Sequence, residues 1–253
     1  MNRREFSLGA IATTATGLGG SLLAQDDQRP AFYELRTYEL RNDLPVAGFR
    51  TFLEKTYLPA IRPLLSGPVG VFEIIFGQDA PSVILLLQYE SLDKLRANSE
   101  LTGKAGTAWK EFESSGIPYI RYRSELFRAF EGHPQVEVPP ARESGHVFEL
   151  RTYESTNTLK AAAKVDMFNT EEIKIFRACA MQPVFFGEAV IGQKLPHLTY
   201  MLAFDDMAAR EKAWATFSAN PDWNRIRNDP RWVDTVSSIH ASFLRPASFS
   251  EIR

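Results

Sequence analysis

The stretch FYELRTYEL (Phe32–Leu40) returns as VFELRTYES (Val147–Ser155), with Glu-Leu-Arg-Thr-Tyr-Glu unchanged in both. The match extends beyond one strand. At a constant offset of 115, Arg62 meets Arg177, Pro68-Val69 meets Pro183-Val184, Glu73 meets Glu188, and Pro81 meets Pro196. No gap is needed over about sixty residues, and the period exceeds the roughly 20–50 residues of solenoid repeats. A chain of 253 residues has room for two such units. It therefore reads as one domain written twice, over residues 30–130 and 146–246. The Pro- and Gly-rich segment 131–145 is the linker, with His133 and His146 solvated.

Hydrophobic periodicity gives the order of elements within a copy. Phe32–Leu40 alternates like a strand, while Val46, Phe49, Phe52, Leu53, Tyr57 and Ile61 recur at helical spacing. Val71–Phe76 and Val83–Tyr89 are strands around a turn at Gly77–Ser82. A helix N-capped by Ser91 follows, and Tyr119–Phe127 closes the copy. The second copy repeats the pattern. The order βαββαβ is the ferredoxin-like unit, whose sheet has helices on one face and needs a partner on the other. Two such units packed sheet to sheet predict an α+β barrel.

Alternation also sorts the side chains of the first strand. Tyr33, Leu35 and Thr37 share one face, and Glu34, Arg36 and Tyr38 share the other. With the Leu35 face against the helices, Glu34, Arg36 and Tyr38 point into the barrel, as do Glu149, Arg151 and Tyr153 of the second copy. Glu73 and Glu188 recur on the second strand and add carboxylates. These eight residues are the candidate ligand-binding set. The arginines are natural anchors for a small acidic ligand, whereas Glu34–Arg36 and Glu149–Arg151 also suit a purely structural pairing.

Three passages resemble the NIPSNAP family: YELRTYEL (Tyr33–Leu40), with FELRTYES (Phe148–Ser155) in the second copy, VILLLQYESLDKL (Val83–Leu95) and FSANPDW (Phe217–Trp223). The resemblance implies a dimeric α/β-barrel fold, here made by the two copies as a pseudodimer, and carries no catalytic residues over. Fold relatives include cofactor-independent monooxygenases and haem-handling enzymes. The first copy lacks the Pro-Trp turn near Ala105–Trp109, and the second has LAFDDM where Tyr-Glu-Ser is usual. The two halves are thus expected to differ in function.

The start of the chain reads as an address. Arg3-Arg4, then Phe6 and Leu8, then a Gly- and Thr-diluted apolar run to Ala24, follow the order of a twin-arginine signal peptide over residues 1–24. Export to the periplasm with cleavage after Ala24, and no stable membrane span in the mature form, are the expectation. A formal net charge of −2 without a basic stripe argues against a nucleic-acid partner. The one cysteine, Cys179, excludes an internal disulfide. No metal motif, phosphate loop or nucleophile elbow is present. No motif requires a cofactor. Haem would call on His197 or His240 as axial ligand. The reading favoured is a non-catalytic binder of a small molecule. The alternatives are a cofactor-independent monooxygenase-like or haem-handling oxidoreductase, and a scaffold with a filled barrel. Self-association through the outer surfaces stays open.

Overall fold

The computed structural model describes residues 31–43, 46–77, 79–104, 110, 112, 114, 119–143 and 145–253; the leader, Gln78 and Trp109 lie outside the described residues. The first half runs β1 (Phe32–Leu40), a helical segment, β2 (Gly70–Phe76), β3 (Ser82–Tyr89), a helix and β4 (Tyr119–Ala129). The second runs β5 (Val147–Glu154), a helical segment, β6 (Gln182–Ile191), β7 (His197–Phe204), two helices and β8 (Ser238–Pro246). The eight strands close into one barrel in the order β1-β3-β2-β8-β5-β7-β6-β4. Each half contributes the ferredoxin-like order, and antiparallel β2–β8 and β4–β6 pairs join the halves.

Each first helical segment is interrupted at the same place. In the first half, α1 (Ala47–Phe52) passes through a π-turn at Leu53–Tyr57 into α2 (Leu58–Ile61), and a 3₁₀ turn follows at Arg62–Leu64. In the second, α4 (Thr158–Met167) passes through a π-turn at Phe168–Glu172 into α5 (Ile173–Ala178). Since only the first segment carries Pro59 and Pro63, proline is not what widens the helix. The other helices are α3 (Leu92–Lys104), α6 (Met207–Ala219) and α7 (Pro221–Ile226). Asp206 and Asn220 cap α6 and α7 by accepting backbone N–H bonds. Among the described residues no helix is long and apolar enough to cross a membrane.

The alternation on β1 holds, but its two faces are exchanged relative to expectation. Tyr33 and Leu35 point into the barrel, in one core with Phe72, Leu86, Phe127, Phe148, Phe185, Met201 and Leu244 from both halves. Glu34, Arg36 and Tyr38 point outward beneath the helices, as do Glu149, Arg151 and Tyr153. Their cross-strand neighbours Leu85, Leu87, Leu198 and Leu202 belong to the two helix-side cores. Both faces are buried, so burial alone could not tell them apart. An eight-stranded barrel is just wide enough to be filled by side chains. Charges cost less on the outer face, where helix side chains can satisfy them.

One end of the barrel is a floor. The linker crosses it through Val136 N–H to Gln88 Oε1 (2.9 Å) and Glu137 N–H to Val184 O (2.9 Å). The C-terminal segment is tied there by Ala247 N–H to Val71 O and Glu251 N–H to Val69 O, and Ile252 is fully buried. This corrects the reading of His133 and His146 as solvated: both are buried, and His133 Nε2 lies 3.2 Å from Val184 O. A Pro- and charge-rich linker looks like solvent-exposed chain in sequence, yet here it is part of the closure.

Candidate functional site

The opposite end of the barrel is open and polar. A cavity of about 340 Å³ is lined there by Glu39, Asp79, Arg121, Arg123, Glu125, Thr152, Glu154, Lys194, His197 and His240, among others. Beneath it an inner pocket of about 70 Å³ adds Thr37, Thr199 and Ser242, with Leu35, Ile74, Ile84 and Leu150 as an apolar end. Asp79, Arg123, Glu125, Thr152 and His240 border both spaces.

Strand register builds this mouth. Thr37 lies opposite Arg123, and its counterpart Thr152 lies opposite His240. Glu125 lies opposite Leu35, and Ser242 opposite Leu150. Leu35, Thr37 and Glu39 repeat as Leu150, Thr152 and Glu154, but Arg123 and Glu125 in one half stand where His240 and Ser242 stand in the other, so the mouth is asymmetric. The turns carrying Asp79 and Lys194 occupy equivalent positions. Both residues adopt left-handed φ values, 63° and 55°, and both line the opening.

Hydrogen bonds and charge pairs run around the wall. Thr152 Oγ1 and Thr199 Oγ1 are 2.8 Å apart, and His197 Nδ1 lies 3.5 Å from Thr199 Oγ1. His240 Nε2 lies 2.6 Å from Glu154 Oε1. Arg123 pairs with Asp79 at 2.7 Å and Glu39 at 3.4 Å. His197 is buried with its ring against Phe127 (5.6 Å between centroids). Its Nε2 is 3.7 Å from Glu125 Oε1, beyond hydrogen-bonding distance. With the Tyr33 hydroxyl, it is one of two buried side-chain polar atoms without a partner among the described residues. Burial raises the pKa of Glu125, but His197, the Gln193 N–H and Arg123 outweigh it and hold the carboxyl below its usual range.

The eight strand residues expected inside the barrel form satisfied networks outside it. Arg36 Nη2 lies 2.7 Å from Glu34 Oε1, and Nη1 donates to Tyr57 OH. Ser124 Oγ and Tyr89 OH donate to the Glu34 carboxylate at 2.6 and 2.9 Å. Tyr38 packs on Phe49 and Tyr119. Arg151, Arg210 and the Trp214 indole all donate to Glu149, while Tyr153 accepts from Arg151 and from Tyr200. Glu73 is held by Arg50 and Arg245, and Glu188 by Arg128 at 2.6 Å. The two arginines expected to anchor a ligand are therefore occupied by carboxylates. His197 and His240 do come together, at the mouth. They do not fit a haem: the opening is charged where a porphyrin needs apolar walls, His240 Nε2 is taken by Glu154, and His197 Nε2 is buried.

Sequence reasoning missed Arg123, Glu125, Thr37, Thr152, Thr199 and Ser242. The signal was there as alternation at strand starts: Arg121, Arg123 and Glu125 on β4, and Ser238, His240 and Ser242 on β8, each share a face. Two wider clefts of about 690 and 760 Å³ lie outside the barrel near the floor, and the first borders Cys179. Neither contains a buried unpartnered polar atom.

Fold and site together define a closed, pseudosymmetric α/β barrel with a polar opening at one end. Residues 148–251 match the NIPSNAP family model. A NIPSNAP family protein of unknown function from Agrobacterium tumefaciens is similar at 22% identity (TM-score 0.40), over 44% of this chain and 97% of its own. A candidate monooxygenase from Lactobacillus acidophilus matches 86% of this chain and 94% of its own at 9% identity (TM-score 0.57). One from Fusobacterium nucleatum matches 86% and 93% at 8% identity (TM-score 0.55). These last two share the fold across both halves, and the likeness extends no further than fold. No curated protein is similar enough in sequence to match this chain.

Proposed function

We propose that the chain is an exported protein that holds a small polar molecule in the mouth of its barrel. One observation carries this reading: among the described residues, ionisable and hydroxyl groups from both halves are collected at one open end of a barrel whose remaining interior is apolar but for the Tyr33 hydroxyl. Buried polar groups cost stability unless paired, and a site that retains them without full pairing is a candidate for ligand contact. His197 Nε2 fits that description, because leaving it unpaired costs about 1–3 kcal/mol. An occupant that draws Glu125 toward His197 would offset the cost. The Arg3-Arg4 leader supports export, and with it a ligand acquired before or after translocation.

Native mass spectrometry of the protein from the exported fraction tests this reading. A reproducible mass excess is expected, and it should disappear in a Thr152→Leu variant, which fills the inner pocket and leaves the outer networks untouched. A bare polypeptide mass in the wild type, or an excess that survives Thr152→Leu, would count against the barrel mouth.

A further inference from the structure

We infer that the mouth is a proton-transfer site for a small neutral α-hydroxycarbonyl compound, with His240 as the base; this rests on the mouth being a ligand site. Charge sets the first limit on the occupant. Glu39, Asp79, Glu125 and Glu154 face Arg121, Arg123 and Lys194, so the cations of the lining are matched by its carboxylates. Arg123 is held by Asp79 and Glu39, Arg121 lies 3.6 Å from Glu39, and Lys194 lies 3.7 Å from Glu154. An anionic ligand would have to displace one of these partners, whereas a neutral one leaves them in place.

Shape and chemistry set the second limit. The inner pocket ends on Leu35, Ile74, Ile84 and Leu150, and at about 70 Å³ it takes a methyl-sized group. The hydroxyls of Thr37, Thr152, Thr199 and Ser242 stand above that end and suit carbonyl and hydroxyl oxygens.

The base is already oriented. Glu154 occupies Nε2 of His240 at 2.6 Å, while Nδ1 has no hydrogen bond among the described residues, and the ring borders both spaces. A carboxylate fixing one imidazole nitrogen, with the other unpartnered and the ring beside a cavity, is the arrangement of a general base. The C–H bond beside the carbonyl breaks and its electron pair becomes the C=C of an enediolate, while the carbonyl π pair moves onto oxygen, whose charge is matched by the imidazolium formed at His240. The proton goes to Nδ1 of His240. Return of a proton to the same carbon restores the substrate with solvent hydrogen; return to the neighbouring carbon, with the hydroxyl proton passing from the first oxygen to the second, gives the isomer. No oxidant or reductant enters.

The test uses hydroxyacetone as probe with the full mature protein. Saturation-transfer NMR reads binding, and loss of the hydroxymethyl proton signal in D₂O near pH 8 reads exchange. Exchange above the buffer rate is expected, falling at least about a hundredfold in His240→Gln with binding retained. Glu154 acts only through His240 and is a positioning residue. Glu154→Gln should lower the exchange rate at saturating hydroxyacetone, by less than His240→Gln does, and leave the affinity read by saturation transfer unchanged, since the carboxylate orients the imidazole. The other charged groups around the cavity, Lys194, Arg123, Asp79 and Glu125, are unchanged in that variant. Binding without exchange, or exchange that persists in His240→Gln, overturns the proton-transfer inference and leaves the binding reading intact. A saturating exchange rate unmoved by Glu154→Gln overturns the role of the dyad. A cell-derived mass excess without hydroxyacetone binding overturns the ligand class, and absence of both overturns the binding reading as well.

Discussion

Arg36 and Arg151 occupy equivalent places in the two halves yet are held differently. Arg36 is the only arginine or lysine in salt-bridge contact with Glu34 among the described residues, whereas Glu149 also receives Arg210 and Trp214. Removing one partner of a buried pair costs about 3–5 kcal/mol because the other charge is left behind. Arg36→Met is therefore expected to lose about 3 kcal/mol in urea denaturation, and Arg151→Met clearly less. Equal losses would contradict the difference in pairing. His133 gives a pH dependence. Burial lowers its pKa from the ordinary imidazole value of 6.5, against the pull of Glu137 and with the push of Arg177. The folded state thus prefers the neutral ring. The stability it contributes is fully present above pH 6.5 and is lost as pH falls from there through the folded pKa. Melting temperature should drop between pH 7.5 and pH 5.5, and drop less in His133→Gln. The Glu-Arg-Tyr set was visible in the sequence, because alternation is a property of the strand alone. Which way it points was not, since both faces of β1 are buried and the partners Tyr57, Tyr89 and Ser124 come from distant segments.

At the scale of elements, the seams between the halves carry the closure. Gly77 ends β2 at φ 141°, and a Cβ there would lie 2.7 Å from the Ser242 Cα on β8. Gly77→Ala should cost about 2 kcal/mol or more from strain alone and loosen the β2–β8 seam. The check is hydrogen exchange of β8 amides, with protection lost first near Ser242; uniform protection would contradict it. Strand order within each half was legible from period-2 alternation and from the repeat itself. The bulges at Ile74/Phe76 on β2 and Pro183/Phe185 on β6 were not, because a bulge reflects pairing across strands that the local sequence does not contain. The same holds for β4 and β8, whose polar residues at the mouth become neighbours only on closure.

For the whole molecule, duplication supplies a barrel within one chain, and divergence between the copies supplies its chemistry. Arg123 and Glu125 in one half stand where His240 and Ser242 stand in the other. The floor is sealed by the linker and the C-terminal segment, which leaves one way in. The measurement that tests this most directly is a crystal structure of protein purified from its cells and never dialysed. It should show density for a small molecule in the mouth, in contact with His240 or Glu125 and reaching toward Leu35 and Ile84. Only water at the mouth, with a ligand instead beside Arg36 or Arg151 under the helices, would contradict it.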